Sequence, residues 1–379
     1  MEKTANTNSV TIVTTKEEKK KFIEFPYTHY AEDEYWVPPL KMEQKKLLDE
    51  KKNPFYQNAE IALFLSEHNG QPAGRIAAII DHRYNDFHKT KTGFFGFFEC
   101  IDRQSHADLL FKVAEDWLKE RGMEELLGPS NPSMMDEIGV LVEGFDKYPC
   151  IMMPYSKQYY DPLLKNAGLE KAMDLFTYHV TQDSVDRDRA NRAVEIVRKR
   201  LPGIKIRPLN LKKIQDEVKI IRRIFNAAWK NNWGFIPLSE AEFESLAKDL
   251  KTIVDPNFAH IAEIDGEPVA FSVGLPDYNQ IFKDMNGKLF PFGIFKILMR
   301  RKKIDKIRTA LMGVLPEYHG KGIDVLLHRE AIENGLKTGV YSSEVGWILE
   351  NNVQMIRVAE KIGGSPEKTY RMYKKSLKA

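Results

Sequence analysis

Arg308-Thr309-Ala310-Leu311-Met312-Gly313-Val314 runs into Leu315-Pro316-Glu317-Tyr318-His319-Gly320-Lys321-Gly322-Ile323-Asp324, and a helical pattern follows from about Val325 to Thr338. The first run reads as a strand, and the Pro and two glycines read as a turn. A glycine turn between a strand and a helix start exposes backbone N–H groups that no helical bond uses. The positive end of the helix dipole adds to them, which makes a ready site for phosphate oxygens. Two glycines alone suit a plain connecting turn equally well, so the pattern by itself leaves both readings open.

Working outward, Ser343-Glu344-Val345-Gly346-Trp347-Ile348-Leu349 is a second strand ending in Glu350-Asn351-Asn352. A helix over Val353–Ile362, then Gly363-Gly364, then a strand Thr369–Tyr373 complete the C-terminal part. Much of this order occurs twice. Leu63 to Gly74, with its Asn69-Gly70 turn, resembles Ile261 to Ala270, with Asp265-Gly266, and the two turn glycines lie 196 residues apart. Leu163–Gly168 parallels Val358–Gly364 at the same 196-residue offset, while Gly122 and Gly339, each ending a helix, are 217 apart. Each copy reads as strand, helix, a meander of strands, helix, strand, helix, strand. The opening strands are Val10–Thr14 and Ile204–Arg207, and the closing ones Asp174–Val180 and Thr369–Tyr373. Tight turns between the central strands predict a mixed α/β fold with mostly antiparallel sheets, not a parallel doubly wound one. The expected domains are residues 1–181 and 204–379, with a charge-rich linker at 182–203.

Composition sets the outer bounds. The 379 residues are 42% hydrophobic and 29% charged, enough apolar surface for real cores and far from a disordered chain. Cys100 and Cys150 are too few for a disulfide framework or a multi-cysteine zinc site and suit a reducing cytosol. His82, His88 and His106 lack metal-ligand spacing, so no metal is expected. No run approaches the ~18 apolar residues of a membrane span, and Met1-Glu2-Lys3-Thr4-Ala5-Asn6 carries no apolar core of a signal peptide. A net charge of +3 is not the strong field of a dedicated nucleic-acid binder, so no nucleic-acid partner is expected.

The turn His319-Gly320-Lys321-Gly322-Ile323-Asp324, followed by the strand to Asn352 and by Gly363 eleven residues after it, resembles the GNAT (Gcn5-related N-acetyltransferase) superfamily. The resemblance covers about Ile204 to Ala379. Residues 1–181 resemble the same fold without the phosphate turn, since Ile101-Asp102-Arg103-Gln104-Ser105 has no glycine there. It implies two GNAT-like domains in tandem, each with splayed central strands flanked by helices. It also implies transfer of an acyl group from acetyl-CoA or a longer acyl-CoA, or from an acyl carrier protein, to an amine. By the same resemblance Met312, Gly313 and Val314 would meet the pantetheine arm through backbone groups. His319 to Asp324 would cradle the pyrophosphate, and Asn352 would belong to the cofactor site. The pattern departs at three places, the first being His319, where the family has Arg or Gln. Asp324 stands where the family has Gly or Ala, and Ala359 stands where it usually has an acid-donating Tyr.

An alkylammonium with a pKa of ~10 needs a proton acceptor before it can attack. Glu344, on the strand beside the cofactor strand, is the first candidate base and His319 the second, with a solvated strand-end acid and a turn residue as the plain alternatives. Asn131, Asp136 and Tyr155 on the Gly128–Tyr155 block, and Trp233 in the Asn231–Phe235 turn, are candidates for the acceptor site.

Residues 289–308 form an apolar stretch, Leu289 to Met299, followed by a basic one: residues 296–308 hold seven basic side chains and one acid. Apolar anchors beside a polybasic run suit an anionic lipid surface, a buried helix with a basic C-terminal end, or a patch facing the phosphates of CoA. The expected setting is cytoplasmic, with peripheral contact on the inner membrane face. Gly128-Pro129-Ser130-Asn131, Gly139–Phe145 and Trp347–Asn352 resemble a tandem GNAT-like group that includes bacterial ceramide synthases, which implies a lipid amine as acceptor. Two rival functions stay open: a non-catalytic GNAT-like module that binds a lipid or protein, and an aminoacyl-tRNA-dependent transferase.

Overall fold

Two hairpins anchor the two copies. In the computed structural model, which describes residues 8–378 (side chains of 249 and 250 excepted), Asn69-Gly70 and Asp265-Gly266 both hold positive φ at both positions. That is the mirror-image turn whose twist matches antiparallel strands. The Met1–Asn6 stretch examined for a targeting signal lies outside the described residues.

Two compact units emerge, each built from non-contiguous sequence: unit 1 from residues 1–174, 282–295 and 369–379, unit 2 from 175–281 and 296–368. In chain order unit 1 contains β1 (Asn8–Ile12), α1 (Lys16–His29), α2 (Lys41–Leu47), β2 (Ala59–His68), β3 (Gln71–Asp81), α3 (His82–His88) and β4 (Thr92–Cys100). There follow α4 (Gln104–Glu120), β5 (Glu125–Gly128), β6 (Ser130–Asn131), β7 (Glu137–Ile138), β8 (Val140–Glu143), α5 (Tyr160–Asn166) and the start of β9 (Glu170–Thr181). Unit 2 takes the rest of β9, then α6 (Arg187–Arg200), β10 (Ile204–Pro208), α7 (Ile214–Trp229), α8 (Glu240–Leu250), β11 (Ala259–Ile264) and β12 (Glu267–Pro276). α9 (Asn279–Phe282) and α10 (Gly293–Arg300) flank the unit 1 stretch 282–295; β13 (Lys306–Val314), α11 (Ile323–Thr338), β14 (Ser342–Leu349) and α12 (Val353–Lys361) then belong to unit 2, and β15 (Ser365–Ser376) returns to unit 1 at Thr369.

The same sheet is built twice. In unit 1 the order is β1-β2-β3-β4-β5-β15, antiparallel except for β4 with β5. In unit 2 it is β10-β11-β12-β13-β14-β9, antiparallel except for β13 with β14. The mixed α/β fold read from the repeat is therefore present in both units. The closing strands, however, are exchanged. Ser342 to Leu349 pair with Thr181 to Leu175, so β9 completes unit 2, and Tyr373 to Ser376 pair with Gly128 to Glu125, so β15 completes unit 1. The repeat predicts the reverse. Both segments carry the same alternating pattern, and nothing local distinguishes which sheet edge each will meet.

Local chemistry sets the ends of several elements. Thr15 and Glu18 form a reciprocal capping box at α1, and Asp81 caps α3. The charge-rich linker is largely helical, as α6. In unit 1, Leu110, Phe111, Ala114 and Leu118 of α4 pack on Ile76, Ala78, Phe95 and Leu126 of the sheet. In unit 2, Ile323 and Leu327 of α11 bury against Ala262, Val269 and Ala270, and Ala359 of α12 against Tyr178, Val180, Val345 and Ile348. No helix among the described residues is long and apolar enough to cross a membrane.

Candidate active site

β13 and β14 pair in parallel only from Lys306–Ser342 to Thr309–Val345. Beyond that rung each keeps its outer partner: β13 continues along β12 to Val314, and β14 continues along β9 to Leu349. The inner edges therefore part, and the gap between them opens toward the C-terminal ends of both strands. Strand alternation decides which groups face it. Leu315 donates its N–H to Val269 O (2.9 Å), on the β12 side, so beyond the bulge at Ala310 the residues Leu311, Gly313 and Leu315 face β12 and Met312 and Val314 face the gap. Met312 and Val314 thus present their backbone to the gap. Gly313 turns its amide to β12, and a Cβ at Gly313 would meet the Phe271 ring at 2.7 Å. The gap-side carbonyls are already used: Trp229 Nε1–H donates to Met312 O and His319 Nε2–H to Val314 O, both at 2.8 Å. What remains for a ligand on this edge is the N–H of Met312 and of Val314.

The turn follows directly. Gly320 and Gly322 sit at φ +72° and +85°. Gly322 opens α11 with no side-chain cap. Lys321 N–H goes to Tyr318 O (3.3 Å) and Val325 N–H to Gly322 O (3.1 Å). Among the described residues the N–H groups of Gly320, Gly322, Ile323 and Asp324 have no such partner. Unpaired amides on a 16-residue helix, beside a gap with two more, fit the diphosphate and amide carbonyls of a pantetheine arm. Asp324 is half-buried one helical turn before His328. Burial holds the His328 imidazole neutral, its pKa pushed down, and the Asp324 charge only partly counters this. From behind the turn, α6 supplies Val197, whose Cγ2 would lie 2.6 Å from a Cβ on Gly322.

Glu344 is fully buried. Its Oε2 accepts from Lys306 Nζ and Lys368 Nζ, each at 3.0 Å. Burial pushes its carboxyl up, but the two ammonium groups overcome that and hold it at about 2. Such a carboxylate is a weak proton acceptor at neutral pH. Glu344 is therefore placed to neutralise two lysines. His319 is exposed and spends its Nε2–H on Val314 O, so it shapes the turn. Asn352 caps α12, its Oδ1 accepting from Met355 N–H at 3.2 Å. Trp233 is half-buried in the turn that follows α7.

Asn131, Asp136 and Tyr155 belong to unit 1, whose own parallel pair also parts early. Thr92 to Phe94 of β4 match Glu125 to Leu127 of β5, and no further rung follows. There the opening is filled by the chain itself: Asn131 Oδ1 accepts from Phe97 N–H at 2.6 Å, and Ser130 O stands where a Cβ on Gly96 would be. Asp136 accepts from Ser133 Oγ–H at 2.6 Å, and Tyr155 sets its ring edge-on to Tyr30. These three groups are engaged within their own unit. One residue that matters escaped the sequence reading. Trp229 is the last residue of an amphipathic helix and looks like core.

A parallel pair that splays into a glycine turn on a helix N-terminus defines an acyl-CoA-dependent acyltransferase fold. Residues 218–364 match the Acetyltransferase (GNAT) family model. The chain is 37% identical over 377 residues to the bacterial ceramide synthase of Caulobacter vibrioides, covering 97% of each chain. It is also 37% identical over 370 residues to Protein YghO of Escherichia coli, covering 96% of this chain and 94% of that one. Among solved structures, a tandem GNAT protein from the clavulanic acid biosynthesis pathway aligns at a TM-score of 0.59 and 11% identity, over 98% of this chain and 99% of that one. The chain belongs to the GNAT family as a tandem member, and it is an acyltransferase with acyl-CoA as the implied co-substrate. Among the described residues, no cluster of His, Cys, Asp or Glu is placed to hold a metal ion.

Proposed function

We propose that unit 2 moves an acyl group from acyl-CoA, or from the pantetheine arm of an acyl carrier protein, to the nitrogen of a long-chain lipid amine. The observation that carries this is the open gap edged by the Met312 and Val314 amides and continued by the unpartnered amides of Gly320, Gly322, Ile323 and Asp324. The relative named bacterial ceramide synthase supports a lipid amine as acceptor. In this reading the Met312 and Val314 N–H groups hold pantetheine carbonyls, and the turn with the helix N-terminus holds the diphosphate. The thioester then lies near the last paired rung, Thr309–Val345. The amine lone pair attacks the thioester carbonyl carbon, the C–S bond breaks, and the proton lost from nitrogen ends on the thiolate or on water. A CoA thiol has a pKa near ~8.5, so its departure needs no strong acid. With Glu344 held ionised and Ala359 buried, proximity and orientation supply most of the rate. The test is free-thiol release from palmitoyl-CoA with sphinganine as acceptor, beside calorimetric titration of CoA. Saturable binding and amine-dependent thiol release are expected. No binding and no release with any acyl-CoA would reject the reading.

Segment 289–308 favours a second element. Phe290, Phe292, Phe295, Leu298 and Met299 are 65%, 74%, 61%, 56% and 78% exposed, and Lys296, Arg300, Arg301, Lys302 and Lys303 share the same stretch of sequence. This exposure disfavours the buried-helix reading and supports contact with anionic lipid, at ~1 kcal/mol per basic residue near the surface. Flotation with phosphatidylglycerol vesicles should capture the protein. Equal flotation after changing the three phenylalanines to Ser would reject the contact.

A further inference from the structure

α6 carries more cations than its own packing needs. It rests on α11: Val197 lies under Gly322, and Leu201, just past the helix end, packs with Ile323 and Leu327. Gln182, ahead of the helix start, donates to Ile332 O further along α11 (3.2 Å), so the two helices run in opposite directions. The last turn of α6 therefore stands beside the glycine turn. On the solvent side Arg189, Arg192, Ile196, Lys199 and Arg200 recur at three- and four-residue steps, which puts them on one face. All five are exposed, Ile196 to 50%. Asp188 and Glu195 stand four residues before Arg192 and Lys199. Among the described residues neither pair closes to an ion pair, and none of the four cations has another acid partner. The helix dipole favours Lys199 and Arg200 in the last turn but disfavours Arg189 near the start, so it does not account for the stripe. A cationic stripe with an apolar centre suits a protein surface better than a small anion. The charges orient an acidic partner, and the isoleucine gives it a dry contact.

We propose that this face of α6 docks an acidic helix of an acyl carrier protein, whose pantetheine arm then enters the gap past the glycine turn. The proposal rests on the acyl-transfer reading above and chooses between its two donors. Position supports the choice, because the stripe ends where Val197 underlies Gly322, at the phosphate end of the arm. The turn then holds the single phosphodiester that joins the arm to its carrier. Eleven residues of helix, from Arg189 to Arg200, span ~16 Å, enough for one partner helix of three turns laid along the stripe.

The experiment measures kcat/KM for palmitoyl-loaded bacterial acyl carrier protein and for palmitoyl-CoA with one fixed amine. In Arg189→Glu/Arg192→Glu, two cations remote from the glycine turn become acids. The value for the carrier donor should fall about tenfold or more, and that for palmitoyl-CoA should stay within about twofold. Ile196→Asp changes no cation and should move the same ratio in the same direction. All three side chains are exposed, so urea unfolding of both variants should match the wild type. A wild type that uses palmitoyl-CoA but not the carrier donor, or variants that depress both donors equally, would overturn the docking while leaving the acyl-transfer reading standing. Variants that lose flotation on phosphatidylglycerol vesicles at an unchanged carrier rate would assign the stripe to lipid and overturn it too. No turnover or binding of either donor would reject the acyl-transfer reading and the docking with it.

Discussion

Replacing Glu344 by Gln tests whether this carboxylate does chemistry or holds charge. The change keeps the side-chain shape and removes one negative charge from between two ammonium groups. The Lys368 side chain is fully buried and that of Lys306 is 15% exposed. Glu367 is the other acid within reach, at 3.8 Å from Lys368 and 3.5 Å from Lys306. The drop of the Glu344 carboxyl from 4.5 to about 2 corresponds to roughly 3 kcal/mol of stability at neutral pH. That agrees with the ~3–5 kcal/mol expected for leaving a buried charge uncompensated. Because the folded value lies below the unfolded one, the stabilisation is present above about pH 4.5 and fades as pH falls through 2. Urea unfolding at pH 7 should show Glu344→Gln less stable by about 3 kcal/mol, and the difference should shrink toward pH 2. The double variant Glu344→Gln/Lys368→Met removes both charges and should recover most of the loss. Between pH 6 and 9 the shape of the kcat/KM profile should not change, since Glu344 does not titrate there. A variant of full stability that loses rate and one limb of its pH profile would refute the reasoning and restore Glu344 as a base.

Gly322→Ala should cost ~1–2 kcal/mol for the left-handed backbone and weaken CoA binding tenfold or more, as read by calorimetry. Adding Val197→Ala relieves only the crowding at 2.6 Å; wild-type affinity in the single variant would contradict this. Trp229→Phe frees Met312 O from its indole donor, and the KM for acyl-CoA should rise about fivefold, the ~1 kcal/mol of one hydrogen bond, with kcat little changed; a fall confined to kcat would contradict it. Asn131→Ala strands the Phe97 N–H and should cost ~1–3 kcal/mol in thermal or urea unfolding. Its acyl-CoA affinity should stay within about twofold, and a large loss of affinity would return Asn131 to the substrate site. A fragment of residues 182–379 lacks residues 175–181, which pair with β14, and should show no cooperative melt by circular dichroism.

What could be read from the chain was what short-range chemistry dictates. The Asn69-Gly70 and Asp265-Gly266 turns, the glycine turn at 319–324 and the helix beginning after Asn352 each announce themselves within a few residues, and each is present. The closing strands could not be assigned, because Asp174–Val180 and Thr369–Tyr373 offer the same alternating face to any sheet edge. The surroundings of Glu344 were hidden for the same reason. Its burial depends on Lys368, 24 residues away, whose position follows from the strand pairing rather than from the local sequence. Trp229 carries an ordinary helical signal, and its role appears only when Met312 O is in place.

The contrast between the two units bears on which of them is built to take a ligand. Parting two strands exposes backbone groups that would otherwise sit in a ladder, and buried groups of that kind are nearly always paired. Unit 1 meets the demand internally: Asn131 reaches into the opening and takes the Phe97 amide. Unit 2 meets only half of it. Trp229 and His319 donate to the two gap-side carbonyls, and both are donors, so they satisfy acceptors alone. The Met312 and Val314 amides are left facing the gap, followed by the amides of Gly320, Gly322, Ile323 and Asp324, which have no backbone acceptor among the described residues. A site that has supplied its own donors and kept its amides free selects a partner rich in acceptor oxygens. A pantetheine arm with two amide carbonyls and a diphosphate has that composition. The asymmetry between the copies therefore argues for one acyl-CoA site per chain, in unit 2, more strongly than the glycine spacing does.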